Sequence, residues 1–400
     1  MPSFLPDGRR FVFARFKFNV PSFEVGSVDS ADTTPVLQLP GAISPHYANG
    51  ALVFAVGSRV VAQSFDPARL QLSGEPVTLA DDVAWETNTG AAFAVSNTGT
   101  LVYAPLVGGG QSRLTWMDRT GRVLTSLADD ADYSNLELSR DERHLAVSAT
   151  TTLAATTRDI YIVDLARRVR QRLTFDASDE RSAVWTPDGR QLVYNSKGLD
   201  LYRRSANFTG GDESLQTDRA SKDPRDISAD GQRLLYRRTG EGTSNDIWVM
   251  PLGADRTSVA LLNSPFDENY ASFSPDAHSI VYVSNESGRA EVYVMSLDSG
   301  GAKVQISTGG GSFPRWRRPR EIVYLSLEQT LMSVAVTGSG DEFRPGPTTP
   351  LFKIDLQPGA GTPYDVTVDG RRFIVGAKVP SRMPPSFSIL VNWPALLEKR

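Results

Sequence analysis

Apolar residues along this chain come in short runs of three to five, set among polar ones at a spacing of two, and broken every few residues by Gly, Pro, Asn or Asp. That period belongs to half-buried strands, and no stretch carries the i, i+3, i+4 stripe of an amphipathic helix. The clearest runs are Leu192-Val193-Tyr194, Leu234-Leu235-Tyr236 and Ile280-Val281-Tyr282. Each follows a similar corner: Trp185-Thr186-Pro187-Asp188-Gly189, Ile227-Ser228-Ala229-Asp230-Gly231 and Phe273-Ser274-Pro275-Asp276-Ala277. Pro presets φ, Asp suits the next turn position and Gly takes the left-handed one, so each corner predicts a hairpin and assigns its Asp a structural task.

A third strand follows in each unit, at Asp159-Ile160-Tyr161-Ile162-Val163, Asp200-Leu201-Tyr202, Asp246-Ile247-Trp248-Val249-Met250 and Glu291-Val292-Tyr293-Val294-Met295. A shorter fourth is read at Gln171-Arg172-Leu173-Thr174 and Val304-Gln305-Ile306-Ser307. Weaker corners lie at Pro6-Asp7-Gly8, Asn49-Gly50, Asn97-Thr98-Gly99, Arg140-Asp141-Glu142 and Val368-Asp369-Gly370, with a degenerate one at Arg318-Pro319-Arg320. The nine corners recur at about 42 to 50 residues, the period of a four-stranded propeller blade.

The fold class expected is therefore all-β, a β-propeller of four-stranded antiparallel blades. Two closures are open. Residues 112–400 can form a six-bladed ring, with 1–111 supplying about three further blades, or the chain can close as a single eight-bladed propeller. In the first, Arg113 to Leu127 would complete the last blade beside Phe387 to Trp393, which removes exposed sheet edges.

Composition narrows the function. The chain has 400 residues, a formal net charge of -4 and no cysteine, which excludes disulfides and thiolate or Cys-zinc chemistry and offers no basic stripe for nucleic acid. The longest charge-free stretch, Thr87 to Ser112, is studded with Asn, Thr and Gly, so no membrane span is expected. The N-terminus, Met1-Pro2-Ser3-Phe4-Leu5-Pro6, has no signal-peptide pattern and opens inside a repeat unit, as though further blades preceded it.

No catalytic residues, cofactor or metal are expected. A hydrolase needs Gly-x-Ser-x-Gly and a kinase needs a Gly-rich loop, His-Arg-Asp and Asp-Phe-Gly, and none is present. His46, His144 and His278 sit in or beside turns and are read as solvated. The acid pairs Asp81-Asp82, Asp129-Asp130 and Asp179-Glu180 are read as surface loops, and Gly108-Gly109-Gly110 and Gly309-Gly310-Gly311 as connectors.

The first strand of a propeller blade lines the central channel. Counting two residues back from each corner's Ser/Thr position gives Glu137, Val184, Asp226, Ser272, Arg315 and Asp365, a mostly polar ring between apolar neighbours. Glu137, Asp226, Arg315 and Asp365 are the candidate ligand-binding residues, facing the channel as a funnel for a peptide, a protein segment or a small polar ligand. The competing expectation is a channel whose charges satisfy one another.

The stretches Ser284-Asn285-Glu286-Ser287-Gly288-Arg289-Ala290-Glu291-Val292-Tyr293-Val294 and Ser307-Thr308-Gly309-Gly310-Gly311-Ser312-Phe313-Pro314-Arg315-Trp316 are specific enough for a family resemblance. With Phe4-Leu5-Pro6-Asp7-Gly8-Arg9-Arg10 and Val391-Asn392-Trp393, they resemble the TolB-type, WD-like propeller regions on the C-terminal side of bacterial serine/threonine protein kinases. The resemblance implies a non-catalytic sensor or docking module. It would be extracytoplasmic if linked to a membrane kinase and cytoplasmic otherwise. Alternatives are a TolB-like envelope scaffold, or the propeller of a prolyl oligopeptidase-type peptidase without its hydrolase domain.

Overall fold

A computed structural model of the chain describes residues 2–17, 20–39, 42–81, 83–86, 90–105, 111–127, 130–150, 157–196, 200–218, 220–240, 244–298, 303–338, 342–357, 361–380 and 387–397. Asp82, Asp129 and Gly108-Gly109-Gly110 lie outside them. The described residues are all-β, without an α-helix, and most strands pair into four-stranded antiparallel sheets. No helix among them is long and apolar enough to cross a membrane.

Two compact units emerge, Met1–Gly110 with Pro380–Arg400, and Gln111–Val379. In the first, Ser3–Phe4, Arg10–Lys17, Val20–Ser27 and Ser30–Gln38 form one sheet, and Ala42–Ala48, Ala51–Val56, Arg59–Asp66 and Gln71–Ala80 a second. A third joins Phe93–Val95, Thr100–Tyr103 and Ser388–Val391.

The second unit holds six four-stranded sheets among its described residues. Their first strands are Tyr133–Leu138, Arg181–Trp185, Lys222–Ile227, Glu268–Phe273, Ser312–Arg318 and Tyr364–Val366. Each contacts the next, and the last contacts the first, so the six stand around one axis as a propeller requires. Apolar residues of adjoining sheets pack between them, as where Ile160, Ile162, Ala183, Trp185, Leu192 and Tyr194 form one cluster.

The sixth sheet combines distant segments, in the order Val123–Ser126, Ser112–Asp118, Arg372–Lys378, Tyr364–Val366. This corrects one expectation: the partner of Ser112–Asp118 is Arg372–Lys378, aligned over seven residue pairs from Ser112↔Lys378 to Asp118↔Arg372, and not Phe387 to Trp393. The Asp369-Gly370 corner makes Arg372–Lys378 the second strand of its hairpin, which leaves a third-strand place beside it. Ser388–Val391 pairs instead with Thr100–Tyr103.

The corners form as their residue types dictate. Thr186 Oγ1 donates to Asp188 Oδ1 at 2.6 Å, Asp188 Oδ1 accepts Arg190 N–H at 3.0 Å, and Thr186 Oγ1 accepts Gln191 N–H at 3.0 Å. The same net recurs at Ser139/Asp141, Ser228/Asp230, Ser274/Asp276 and Thr367/Asp369. Gly189, Gly231 and Gly370 close these corners at φ +69, +72 and +66, and Ala277 and Glu142 take the same left-handed place at +59 and +57.

Candidate functional site

Five of the six inner strands share an irregularity that aims their side chains. In each the register shifts just before the ring positions, between Ser134 and Glu137, Arg181 and Val184, Pro224 and Asp226, Asn269 and Ser272, and Ser312 and Arg315. The residue two before the ring position is left-handed at Asn135 (φ +53), Ser182 (+53), Tyr270 (+52) and Phe313 (+51). A bulge of this kind bends the strand and re-aims its next side chain. Where Pro224 and Pro363 occupy that place the ring φ lock forbids a left-handed residue. Both of these strands carry Asp at the ring position, Asp226 and Asp365.

The structure brings three of the four candidates into one buried cluster and adds a fourth member. Arg315 Nη2 donates to Glu137 Oε2 at 3.0 Å and to the Leu136 carbonyl at 3.2 Å. Arg317 Nη2 donates to Glu137 Oε1 at 2.6 Å and to Asp365 Oδ2 at 2.8 Å. Arg315 Nε lies 3.4 Å from Asp365 Oδ1. Two guanidinia thus balance two carboxylates out of water, the arrangement that keeps buried charge tolerable. Burial drives the Glu137 carboxyl above its usual range against the pull of Arg317 and Arg315. In Asp365 those same two guanidinia outweigh burial and hold the carboxyl below its usual range.

Asp226 stands apart from this cluster in its hydrogen bonds. Its Oδ1 accepts its neighbour's amide, Ile227 N–H, at 2.8 Å, and its Oδ2 accepts Ser272 Oγ–H and Phe273 N–H, both at 2.8 Å. Asp365 repeats the device, accepting Val366 N–H and Leu138 N–H at 2.8 Å. Each Asp therefore latches its strand to the next sheet's inner strand. Val184 and Ser272 occupy the remaining ring places, Val184 beside the cavity and Ser272 as the latch partner of Asp226.

Arg317 escaped the sequence reading because it occupies the place that other corners give to Ser or Thr. Its signal was the degeneracy of the Arg318-Pro319-Arg320 corner, where the turn does not use a hydroxyl.

Toward the starts of the inner strands the channel holds a small cavity of about 20 Å³, room for roughly one water. Asn135, Ser182, Pro224, Arg225, Tyr270, Phe313 and Thr362 line it, and Glu137 and Arg315 bound it on the cluster side.

Other candidates fall elsewhere. His46 lies within strand Ala42–Ala48, half-buried with its ring 5.1 Å from that of Phe93, and burial lowers its pKa. His144 is 6.1 Å from the Trp185 ring, and exposed His278 pairs with Asp298 at 2.9 Å. Asp130 pairs with Arg113 at 2.6 Å. Glu180 departs from the surface reading: it is 1% exposed, accepts Ser196 Oγ–H at 3.0 Å, and burial pushes its carboxyl up to about 7. Gly310 N–H caps the Glu291 carboxylate at 2.9 Å, so that connector is tied down.

Comparison with known proteins agrees with this architecture. Residues 136–316 match the TolB beta propeller domain model. An uncharacterized protein of Agrobacterium fabrum is 29% identical over 166 residues, which are 40% of this chain; the chain covers 55% of that relative's length. A solved structure assigned as TolB from Agrobacterium tumefaciens superposes with a TM-score of 0.56 at 16% identity, over 68% of this chain and 99% of that one. The stretch 136–316 is thus similar to a TolB beta propeller domain, and it lies within the six-sheet unit whose inner strands meet at the Glu137, Arg315, Arg317 and Asp365 cluster.

Proposed function

We propose that this protein is a non-catalytic binding propeller, which takes a peptide segment or a small polar ligand at its channel. The observation that supports this is the division of labour along the channel. The paired charges of Glu137, Arg315, Arg317 and Asp365 hold the sheets together, while the cavity beside them keeps polar and aromatic residues at its rim. Propellers commonly offer such a channel mouth to partners.

On the resemblance of Ser284 to Val294 and Ser307 to Trp316, we read the domain as the sensor or docking part of a bacterial serine/threonine kinase-type protein. The TolB domain match over residues 136–316 favours a second reading, an envelope scaffold that recruits proteins. A kinase frame immediately upstream of the coding region supports the first, and export with a defined envelope partner supports the second.

The channel itself is tested by titrating a panel of peptides and small polar molecules against the wild type and Ser182→Trp, whose indole fills the mouth. Binding that the Trp variant loses supports the reading. Binding indifferent to the plug, or none across the panel, overturns it.

A further inference from the structure

Arg225 and Arg315 both line the cavity with a buried Nε that has no hydrogen-bond partner among the described residues, and Arg315 is held in the charge cluster while Arg225 lies outside it. Arg225 stands in the bulge between Pro224 and Asp226, and its side chain is only 10% exposed. The guanidinium rests 4.9 Å from the Tyr270 ring centre, yet it makes no hydrogen bond among the described residues, and its Nε is wholly buried without an acceptor there. Among the described residues its ion-pair partner is Asp223, at 3.5 Å from Nη2.

That neighbour is already engaged. Asp223 accepts from Asn195 Nδ2 and pairs with Arg237, and Arg181 adds a third positive charge to its surroundings. Arg181 has Asp179 as its own partner, so Arg225 and Arg237 share Asp223, and the one lining the cavity is the more distant of the two. Buried arginine donors without acceptors are rare in folded proteins, because the group gives up water and gains nothing in return.

We propose that the mouth of this cavity receives a carboxylate, which Arg225 binds through its guanidinium N–H groups beside the ring of Tyr270. This rests on the channel reading above and names the chemistry that enters it. A guanidinium presents a planar fork that matches two carboxylate oxygens. The cavity has room for roughly one water, so one carboxylate oxygen enters it while the rest of the group stays at the mouth, and no ring fits. Glu137 on the cavity wall disfavours a doubly charged anion, while Arg315 offsets its charge toward a singly charged one. Ser182, Asn135 and Thr362 supply the polar rim. The carboxylate belongs either to a small organic acid or to a peptide, at its C-terminus or on a side chain.

The experiment uses the full chain with the arginine Nε–H groups followed by NMR. The probes are acetate, a tetrapeptide pool with free C-termini, the same pool amidated, and chloride at matched ionic strength. Acetate or the free-acid pool should shift the Arg225 Nε–H signal saturably while chloride does not. Arg225→Gln should weaken that binding about tenfold or more, the loss expected for a charge-assisted pair, and Arg225→Lys should restore only part of it. A free-acid pool that binds at least tenfold tighter than acetate and than its amidated form identifies a peptide terminus. Equal binding of acetate and peptide acids identifies a small acid. An Arg225 signal that ignores every carboxylate in the wild type overturns the proposal, whether or not the variants fold. If uncharged ligands still bind and Ser182→Trp removes them, the channel reading survives without the carboxylate.

Discussion

Asp365 accepts the backbone N–H of Leu138 at 2.8 Å, joining the last inner strand of the six-sheet unit to its first across 227 residues of chain. The carboxylate that makes this bond also pairs with Arg317, so ring closure and charge neutralisation depend on one side chain. Neither the turn pattern nor the strand pattern requires that coincidence.

Removing Asp365 should therefore cost more than removing its counterpart. Asp365→Ala leaves Leu138 N–H without its acceptor and Arg315 and Arg317 with one carboxylate between them; about 3–5 kcal/mol is expected. Asp226→Ala loses the equivalent latch to Phe273 and Ser272 without stranding an ion-paired arginine, and should cost about 1–3 kcal/mol. Urea denaturation of both variants checks the order, and equal losses would contradict the shared role of Asp365.

Glu137 and Arg315 should be strongly coupled, since their 3.0 Å contact is buried on both sides. Glu137→Met or Arg315→Met alone leaves the buried four-charge cluster unbalanced by one charge. The double substitution removes both, so its cost should fall short of the summed single costs by about 1–3 kcal/mol. A double-mutant cycle measured by chemical denaturation reads this directly.

Glu180 should make stability fall as pH rises. Burial lifts its carboxyl from 4.5 to about 7, so the folded state holds its proton more tightly than the unfolded chain. The stabilisation is whole below about pH 4.5, fades as pH approaches 7 and is gone above it. Glu180→Gln, which keeps the Ser196 contact without a titrating proton, should flatten that slope and gain up to ~3 kcal/mol over wild type at pH 8. Unfolding curves at pH 5 and pH 8 provide the test.

Gly189 isolates the backbone cost of a corner. Its φ is +69 and a Cβ there would meet nothing within 4 Å, so Gly189→Ala should lose only the left-handed strain, about 1 kcal/mol. Gly189→Asn should lose less, because Asn tolerates that region better. Thermal melts of the two variants decide, and a larger loss from Asn than from Ala would point to crowding that the structure does not show.

Much of the fold was legible because its signals are local. The Thr186-Pro187-Asp188-Gly189 type of corner encodes its own hydrogen bonds, and the alternation in Ile280-Val281-Tyr282 or Glu291 to Met295 needs only a sheet to face. The ring positions Glu137, Arg315 and Asp365 were also found by counting from those corners, since a repeat carries equivalent residues to equivalent places. Glu180 was misread as surface because its sequence neighbours are polar, although adjoining strands bury it.

The sequence by itself determined the repeat: an Asp-Gly corner, four strands and a polar place on the innermost one, all written within some 45 residues. Only the tertiary structure decided who meets whom. Arg317 reaches Glu137 across 180 residues, Ser112–Asp118 chooses Arg372–Lys378 over Ser388–Val391, and the Arg225 Nε is buried without an acceptor among the described residues. Those outcomes depend on the sheets closing around an axis, which sets distant side chains within ångströms of one another and shuts out the water that would otherwise have satisfied them.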